Sequence, residues 1–252
     1  LIELQGLTKK FGPFFAVRDL WLKVRPGEIF GFLGPNGAGK TTTIRMMAGL
    51  TKPTSGKILL GGKDVVLRPE EAKAILGYIP DRPYLYEKLT GEEFLEFIAG
   101  LHRLERGDGW ERRAEDLLDY FDLLPWRREL IESYSHGMRQ RLIITASLLH
   151  RPQVLIVDEP VVGLDPRGVR LFKSLLQDQA KEGTTVFLST HILGIAEELC
   201  SRIGIIQEGQ LVGLGSMAEL REQAQSRDER LEPLFLKLTQ EEEPRADRPG
   251  IP

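Results

Sequence analysis

Residues 34–42 read GPNGAGKTT, and no other run constrains the chain as strongly. It fits the spacing G-x-x-x-x-G-K-[ST], with Gly34, Gly39, Lys40 and Thr41 in the fixed positions. Glycines let a backbone curl until several N–H groups converge, which is what phosphate oxygens need. Pro35, Asn36, Gly37 and Ala38 supply the rest of that cradle. The preceding residues 29–33, IFGFL, form a short apolar run of the kind found in strands buried on both faces. The following residues 42–50 read as a helix, whose N-terminus adds a positive end to the same anion. Lys40 can then reach the β- and γ-phosphates of a nucleotide, and the Thr41 hydroxyl can ligate Mg²⁺. Thr42 adds a hydroxyl at the α-phosphate.

The periodicity elsewhere predicts an α/β fold. Ile2 and Leu4 alternate with polar residues, as do Leu20, Leu22 and Val24, which predicts antiparallel strands with one wet face. Residues 57–60 enter a turn at Gly61 and Gly62. The stretch 82–149 changes character. Phe94, Leu95, Phe97, Ile98 and Leu101 recur at helical spacing, Leu117, Leu118 and Phe121 do so again, and 142–149 reads as a buried helix. Apolar runs at 154–157, 185–188 and 203–206 are further buried strands separated by helices, the pattern of a parallel core. From about residue 221 the chain is charged, and its last dozen residues are expected to be disordered.

Two of these strands end in chemistry. Asp158 and Glu159 follow the run 154–157. A carboxylate at the end of a buried strand can hold the Mg²⁺ shell opposite a phosphate loop, the role expected of Asp158. Glu159 would then polarise the water that attacks the γ-phosphate, as general base. Pro160 stops the strand and turns the chain at the site. His191 ends the next buried run, where an imidazole can hydrogen-bond a γ-phosphate or orient the water.

Composition removes several other classes. The longest apolar stretches, such as 142–149, fall far short of the roughly 20 residues that cross a bilayer. The first residues, LIELQGLTKK, carry no initiating Met and lack the basic-then-apolar layout of a secretory signal. A single cysteine, Cys200, excludes a disulfide framework and a cysteine-based zinc site, and fits a reducing compartment. A net charge of −3 gives no basic excess for a polyanion, so no nucleic-acid partner is expected.

These pieces, in this order, resemble the nucleotide-binding subunit of ATP-binding-cassette (ABC) transporters over about residues 2–220. The resemblance implies a P-loop NTPase. It would have a RecA-like parallel sheet core, an N-terminal antiparallel β subdomain and a helical subdomain inserted at about 82–149. The ATPase domain would occupy 1–222, and 223–252 would form a charged, partly disordered tail. Phe11 falls where the family places an aromatic that stacks on adenine, and Phe14 or Phe15 could take that place. Residues 134–138, YSHGM, fall at the family signature, usually L-S-G-G-Q; Ser135 and Gly137 match, while Tyr134, His136 and Met138 do not. In the family this helix start contacts the γ-phosphate held by the other subunit. Two readings of His136 stand: a third donor to that phosphate, or a ring facing solvent. Residues 163–166, GLDP, resemble the loop after the catalytic Glu. There Asp165 would couple the two sites of a dimer, and it can equally start a helix. Asp81 stands where the family usually has Gln, touching Mg²⁺ and the attacking water. Asp81→Gln should therefore change turnover or its Mg²⁺ dependence; an unchanged rate and metal titration would remove that role.

The resemblance implies ATP and Mg²⁺ as cofactors, with Lys40, Asp81, Glu159 and His191 in catalysis and Thr41, Asp81 and Asp158 at the metal. It implies a homodimer or pseudo-dimer of ATPase subunits, in which each site takes Ser135, His136, Gly137 and Met138 from the other copy. It also implies a separate integral membrane permease and a peripheral place on the cytoplasmic face of a bacterial or archaeal membrane. Residues 89–97, LTGEEFLEF, and 231–239, LEPLFLKLT, resemble the branch driving drug, polyketide or polysaccharide exporters. Two other readings stand beside this one: a soluble ABC ATPase, such as the iron–sulfur assembly type, and a binding-only regulator. Lys40, Glu159 and His191 argue against the second.

Overall fold

A computed structural model describes residues 1–82, 84–160, 163–226 and 230–239. The alternating N-terminal segments are β1 (Ile2–Phe11) and β2 (Phe14–Val24), paired antiparallel. Gly12, at φ +56°, makes the tight turn between them. The apolar run becomes β3 (Ile29–Leu33), buried along its whole length, and passes through the phosphate loop into α1 (Lys40–Met47). Strands β4 (Ser55–Leu60) and β5 (Lys63–Asp64) follow, then α2 (Pro69–Ala74) and β6 (Leu76–Ile79). The middle of the chain holds α3 (Gly91–Leu101), α4 (Trp110–Tyr120) and α5 (His136–Leu148). Then come β7 (Val154–Asp158), α6 (Pro166–Lys181), β8 (Thr185–Ser189), α7 (Leu193–Leu199) and β9 (Arg202–Gln207). Finally β10 (Gln210–Gly215), α8 (Met217–Gln223) and α9 (Leu231–Leu238) close the described chain.

Two sheets result. One runs β2-β1-β4-β5 and is antiparallel; the other runs β10-β9-β3-β8-β7-β6. In the second, β9, β3, β8, β7 and β6 are parallel and only the edge strand β10 is antiparallel. The apolar runs lack alternation because β3, β7 and β8 are covered on both faces. One cover is the antiparallel sheet with α1, through a core that joins Leu4, Leu22 and Ile58 to Phe30, Phe32 and Ile44. The other cover is helical, joining Phe94, Leu118, Leu142 and Phe172 to Leu155 and Val157. In a parallel sheet of this kind ligands sit beyond the carboxyl ends of the strands, and both Asp158 and the phosphate loop lie there.

Three details differ from the periodicity. Residues 76–79 form a strand at the end of the six-stranded sheet, which the short segment LGYI did not reveal. In α3, Phe94, Leu95 and Ala99 face the core, while Phe97 and Leu101 are exposed. Phe97 instead meets Tyr86 edge-on at 5.3 Å. Within the charged C-terminal segment, α9 buries Leu231, Leu234 and Phe235 against Ala196, Ile205 and Leu220. Residues 240–252, the expected disordered end, lie outside the described residues. Among the described residues no helix is long and apolar enough to cross a membrane.

Candidate nucleotide-binding and hydrolysis site

The phosphate loop needs its glycines for space as well as for conformation. A Cβ on Gly34 would lie 2.2 Å from the Ile206 carbonyl oxygen. One on Gly39, at φ +108°, would lie 2.3 Å from the Ala16 carbonyl oxygen. The loop therefore threads between β9 and β2 where no side chain fits, and its curl is set by sterics. Gly37 is left-handed as well, at φ +80°, with open space around it. Thr43 N–H donates to the Gly39 carbonyl at 2.9 Å, which closes the first turn of α1. Lys40 is buried and its Nζ donates to the Pro35 carbonyl at 3.0 Å, so the ammonium is folded back over its own loop.

A cleft of about 570 Å³ lies over this loop. Asn36, Gly37, Gly39, Lys40, Thr41 and Thr42 form its floor. Asp81, Asp158, Glu159 and His191 form one wall, and Phe11, Phe14 and Ala16 the opposite rim. Residues from the β1–β2 hairpin, the end of β7 and the segments after β6 and β8 thus line one cleft. Gly34, Pro35 and Ala38 shape the loop from behind without lining the cleft; Ala38 is buried. Phe11 and Phe14 are cross-strand partners at the end of the β1–β2 hairpin, both exposed, so the rim is a pair of aromatic faces. Lys9 Nζ lies 4.9 Å from the Phe11 ring centroid. Phe15 points elsewhere, between Lys10 and Arg18. Ala16 was not anticipated. Its place in an alternating strand gave no signal, since its contribution is a small side chain and a carbonyl that Gly39 approaches.

The acidic wall is electrostatically tense. Asp158 is only 3% exposed. Burial, followed by the fields of Glu159 and Asp81, pushes its pKa up to about 6. Burial lowers the pKa of Lys40, while Glu159 and Asp158 act to raise it. Glu159 sits immediately after β7 at φ +49°, a left-handed conformation that costs a non-glycine residue on the order of 1–2 kcal/mol. Its backbone N–H donates to the Ser189 carbonyl at 3.0 Å. Its carboxylate accepts from His191 Nδ1 at 2.7 Å and from the His191 backbone N–H at 3.2 Å. The strained backbone thus turns Glu159 out of the strand and onto His191, while Asp158 stays inside.

The donor set fits a divalent cation. Thr41 offers a hydroxyl, and Asp158 and Asp81 offer carboxylates from the same wall, all hard oxygen ligands. Among the described residues no group of three or more His, Cys, Asp or Glu forms a cage. Mg²⁺ takes few protein ligands and completes its shell with substrate phosphates and water, which the hydroxyl and two carboxylates of this cleft could supplement. The raised pKa of Asp158 also has a consequence for stability. A folded-state pKa above the unfolded 3.8 means that the ionised form opposes folding. This contribution favours folding fully below the unfolded value and is lost as pH rises through about 6. Asp158→Asn should therefore stabilise the chain by about 2–3 kcal/mol at neutral pH in Mg²⁺-free buffer. Thermal unfolding at pH 8 and pH 5 checks this; an advantage that did not shrink at the lower pH would contradict it.

Ser135, His136, Gly137, Met138 and Asp165 do not line this cleft. Ser135 caps α5, its hydroxyl accepting from Met138 N–H at 3.2 Å. Asp165 caps α6, accepting from Gly168 N–H at 3.1 Å, and pairs with Arg141.

A parallel sheet with a glycine phosphate loop, a strand-end carboxylate and a second carboxylate beyond it defines a P-loop nucleoside triphosphatase. The comparisons narrow this. The ABC transporter family matches residues 17–162, more than half of the chain, and the chain belongs to that family as one of its ATPases. The bacitracin transport ATP-binding protein BcrA of Bacillus licheniformis is 41% identical over 216 residues, 84% of this chain and 68% of that protein. The linearmycin resistance ATP-binding protein LnrL of Bacillus subtilis is 36% identical, covering 87% and 70%. A solved ATP-binding subunit of an ABC transporter superposes with a TM-score of 0.91 at 34% identity, covering 95% of this chain and 99% of that one. The ATP-binding cassette MJ0796, solved as a dimer in a post-hydrolysis state with ADP and Pi, superposes at 0.76 and 25% identity, covering 86% and 98%.

Proposed function

We propose that this chain is the ATP-hydrolysing subunit of an exporter and drives a separate integral membrane permease from the cytoplasmic face. One observation carries the reading: the cleft gathers Lys40, Thr41, Asp158, Glu159 and His191 but leaves Ser135 to Met138 outside it. A helix start capped by serine is a ready anion site, and here it lies outside the cleft over the chain's own phosphate loop. A second copy, or a related cassette, docked head to tail would bring that helix start to the γ-phosphate, so that two ATP molecules join two chains. The dimeric MJ0796 structure, with ADP and Pi bound, supports pairing of two cassettes. The names of BcrA and LnrL, which speak of bacitracin transport and linearmycin resistance, support the link to an exporter of the drug-resistance type.

In this reading Phe11, with Phe14 beside it, stacks on the base. Backbone N–H groups of the loop and Lys40 bind the phosphates. Glu159, held by His191, accepts a proton from the attacking water, and His191 keeps Glu159 aimed. Mg²⁺ held by Thr41, Asp158 and Asp81 would neutralise phosphate charge. Loss of the γ-phosphate contacts lets the dimer open, a switch between two states biased by ligand. We assign residues 1–222 to the ATPase domain, with the helical part at about 82–149 facing the permease and 223–252 as a charged C-terminal tail.

The deciding experiment is purification of the native complex from membranes, with ATPase activity measured against chain concentration. An integral membrane protein should accompany the chain, and specific activity should rise with concentration. Co-purification with a soluble iron–sulfur scaffold and no integral protein would overturn the transporter assignment.

A further inference from the structure

The start of α5 grips the loop that follows Glu159 at three levels. At the first turn, Gly163 is so close to His136 that a Cβ on the glycine would lie 2.0 Å from the imidazole Cδ2 and 2.5 Å from Nε2. The same peptide crowds the next residue, since a Cβ on Gly137 would lie 2.9 Å from the Gly163 carbonyl oxygen. One turn later, Gln140 Nε2 donates to the Pro160 carbonyl at 3.3 Å. Beside it, Arg141 pairs with Asp165 and also donates through Nη1 to the Phe121 carbonyl at 3.3 Å. Gly163 holds φ +85°, a backbone that disfavours a side chain in any case. The ring therefore rests in a place that exists only because residue 163 is glycine.

The usual signature has glycine where this chain has His136, so the contact with Gly163 is one that a signature glycine could not make. Among the described residues the His136 imidazole makes no hydrogen bond or ion pair; its contact is ring against backbone. The residue is exposed, so one side of the ring meets water while its Cδ2–Nε2 edge rests on the Gly163 backbone.

We propose that His136 is a positioning residue, whose ring against Gly163 joins the 163–165 loop and the start of α5 into one body. The dimer part rests on the reading given above: both segments belong to the face that a chain would offer to a second copy. Held together, they approach the other chain's phosphate loop as a preset surface, and less order has to be imposed when ATP closes the dimer. Packing is what matters here, so a flat apolar ring should serve and the imidazole protons should not.

The test uses the full-length chain with His136→Gly and His136→Phe. Without nucleotide, His136→Gly should speed amide exchange across residues 163–168 by about tenfold, and His136→Phe should restore protection. With Mg-ATP, His136→Gly should lower kcat several-fold and leave KM for ATP within about twofold, since an interaction outside substrate binding is lost. His136→Phe should recover kcat. Unchanged exchange in His136→Gly would mean that the ring faces solvent, and would overturn the proposal. So would faster exchange with an undiminished kcat. A His136→Phe variant as slow as His136→Gly, with a raised KM, would overturn it in favour of a phosphate contact. If the wild-type chain turned over no ATP, the function proposed above would fail, while the exchange data would still decide the contact.

Discussion

Glu159→Gln should bind ATP normally, turn it over about 10²–10⁴-fold more slowly, and accumulate as a dimer in Mg-ATP. Glutamine keeps the length and shape of glutamate, and its amide oxygen can still accept from His191 Nδ1 and the His191 backbone N–H. The left-handed backbone at residue 159 and its hydrogen bond to the Ser189 carbonyl do not involve the side chain. Only basicity is lost. Nothing in the floor of the cleft changes, so Lys40 and the glycine loop hold the nucleotide as before. ATP that is bound but not consumed keeps two chains together, and the dimer builds up. Phosphate release and size-exclusion chromatography with Mg-ATP measure both halves. A variant that stayed monomeric and active would remove Glu159 from its role.

Lys40→Ala should fail earlier, at binding or at the first catalytic event, with a loss on the order of 10²–10³ in kcat/KM from removing one preorganised cation. Lys40 is also the cation whose field opposes the rise in the Asp158 pKa. Its removal leaves Asp158, Glu159 and Asp81 facing one another without that relief. The variant should therefore lose Mg-ATP affinity as well as turnover, unlike Glu159→Gln. Equilibrium binding of a fluorescent ATP analogue separates the two; retained tight binding with normal hydrolysis would refute the assignment.

Much of this architecture was legible in the chain because covalent spacing and burial leave few choices. Apolar runs without alternation at 29–33, 154–157 and 185–188 are short enough for strands covered on both faces, and they are such strands. The phosphate loop was readable because Gly34 and Gly39 stand where carbonyl oxygens leave no room for a Cβ. Other features had no local signal. The strand at 76–79 is short and exists because β7 pairs with it. Exposure of Phe97 and Leu101 follows from which face of α3 meets α5, a tertiary fact that periodicity blurs. The contact of His136 with Gly163 joins residues far apart in sequence, and neither shows its partner by type. Helix α9 was hidden by the charge around it, although Leu231, Leu234 and Phe235 are spaced for one face.

The six-stranded sheet separates the core under the antiparallel sheet from the core under α3 to α6. The phosphate loop and α1 are rooted in one, through Ala38, Ile44 and Phe32. The start of α5 is rooted in the other, through Tyr134, Met138 and Leu142. Under the head-to-tail arrangement, what a chain uses for its own nucleotide and what it lends to its neighbour are therefore anchored in different halves of the molecule. Damage to one half need not spoil the other. Under that arrangement two crippled chains, one broken on each side of the sheet, should rebuild one working site between them, and alleles of the two kinds should complement each other.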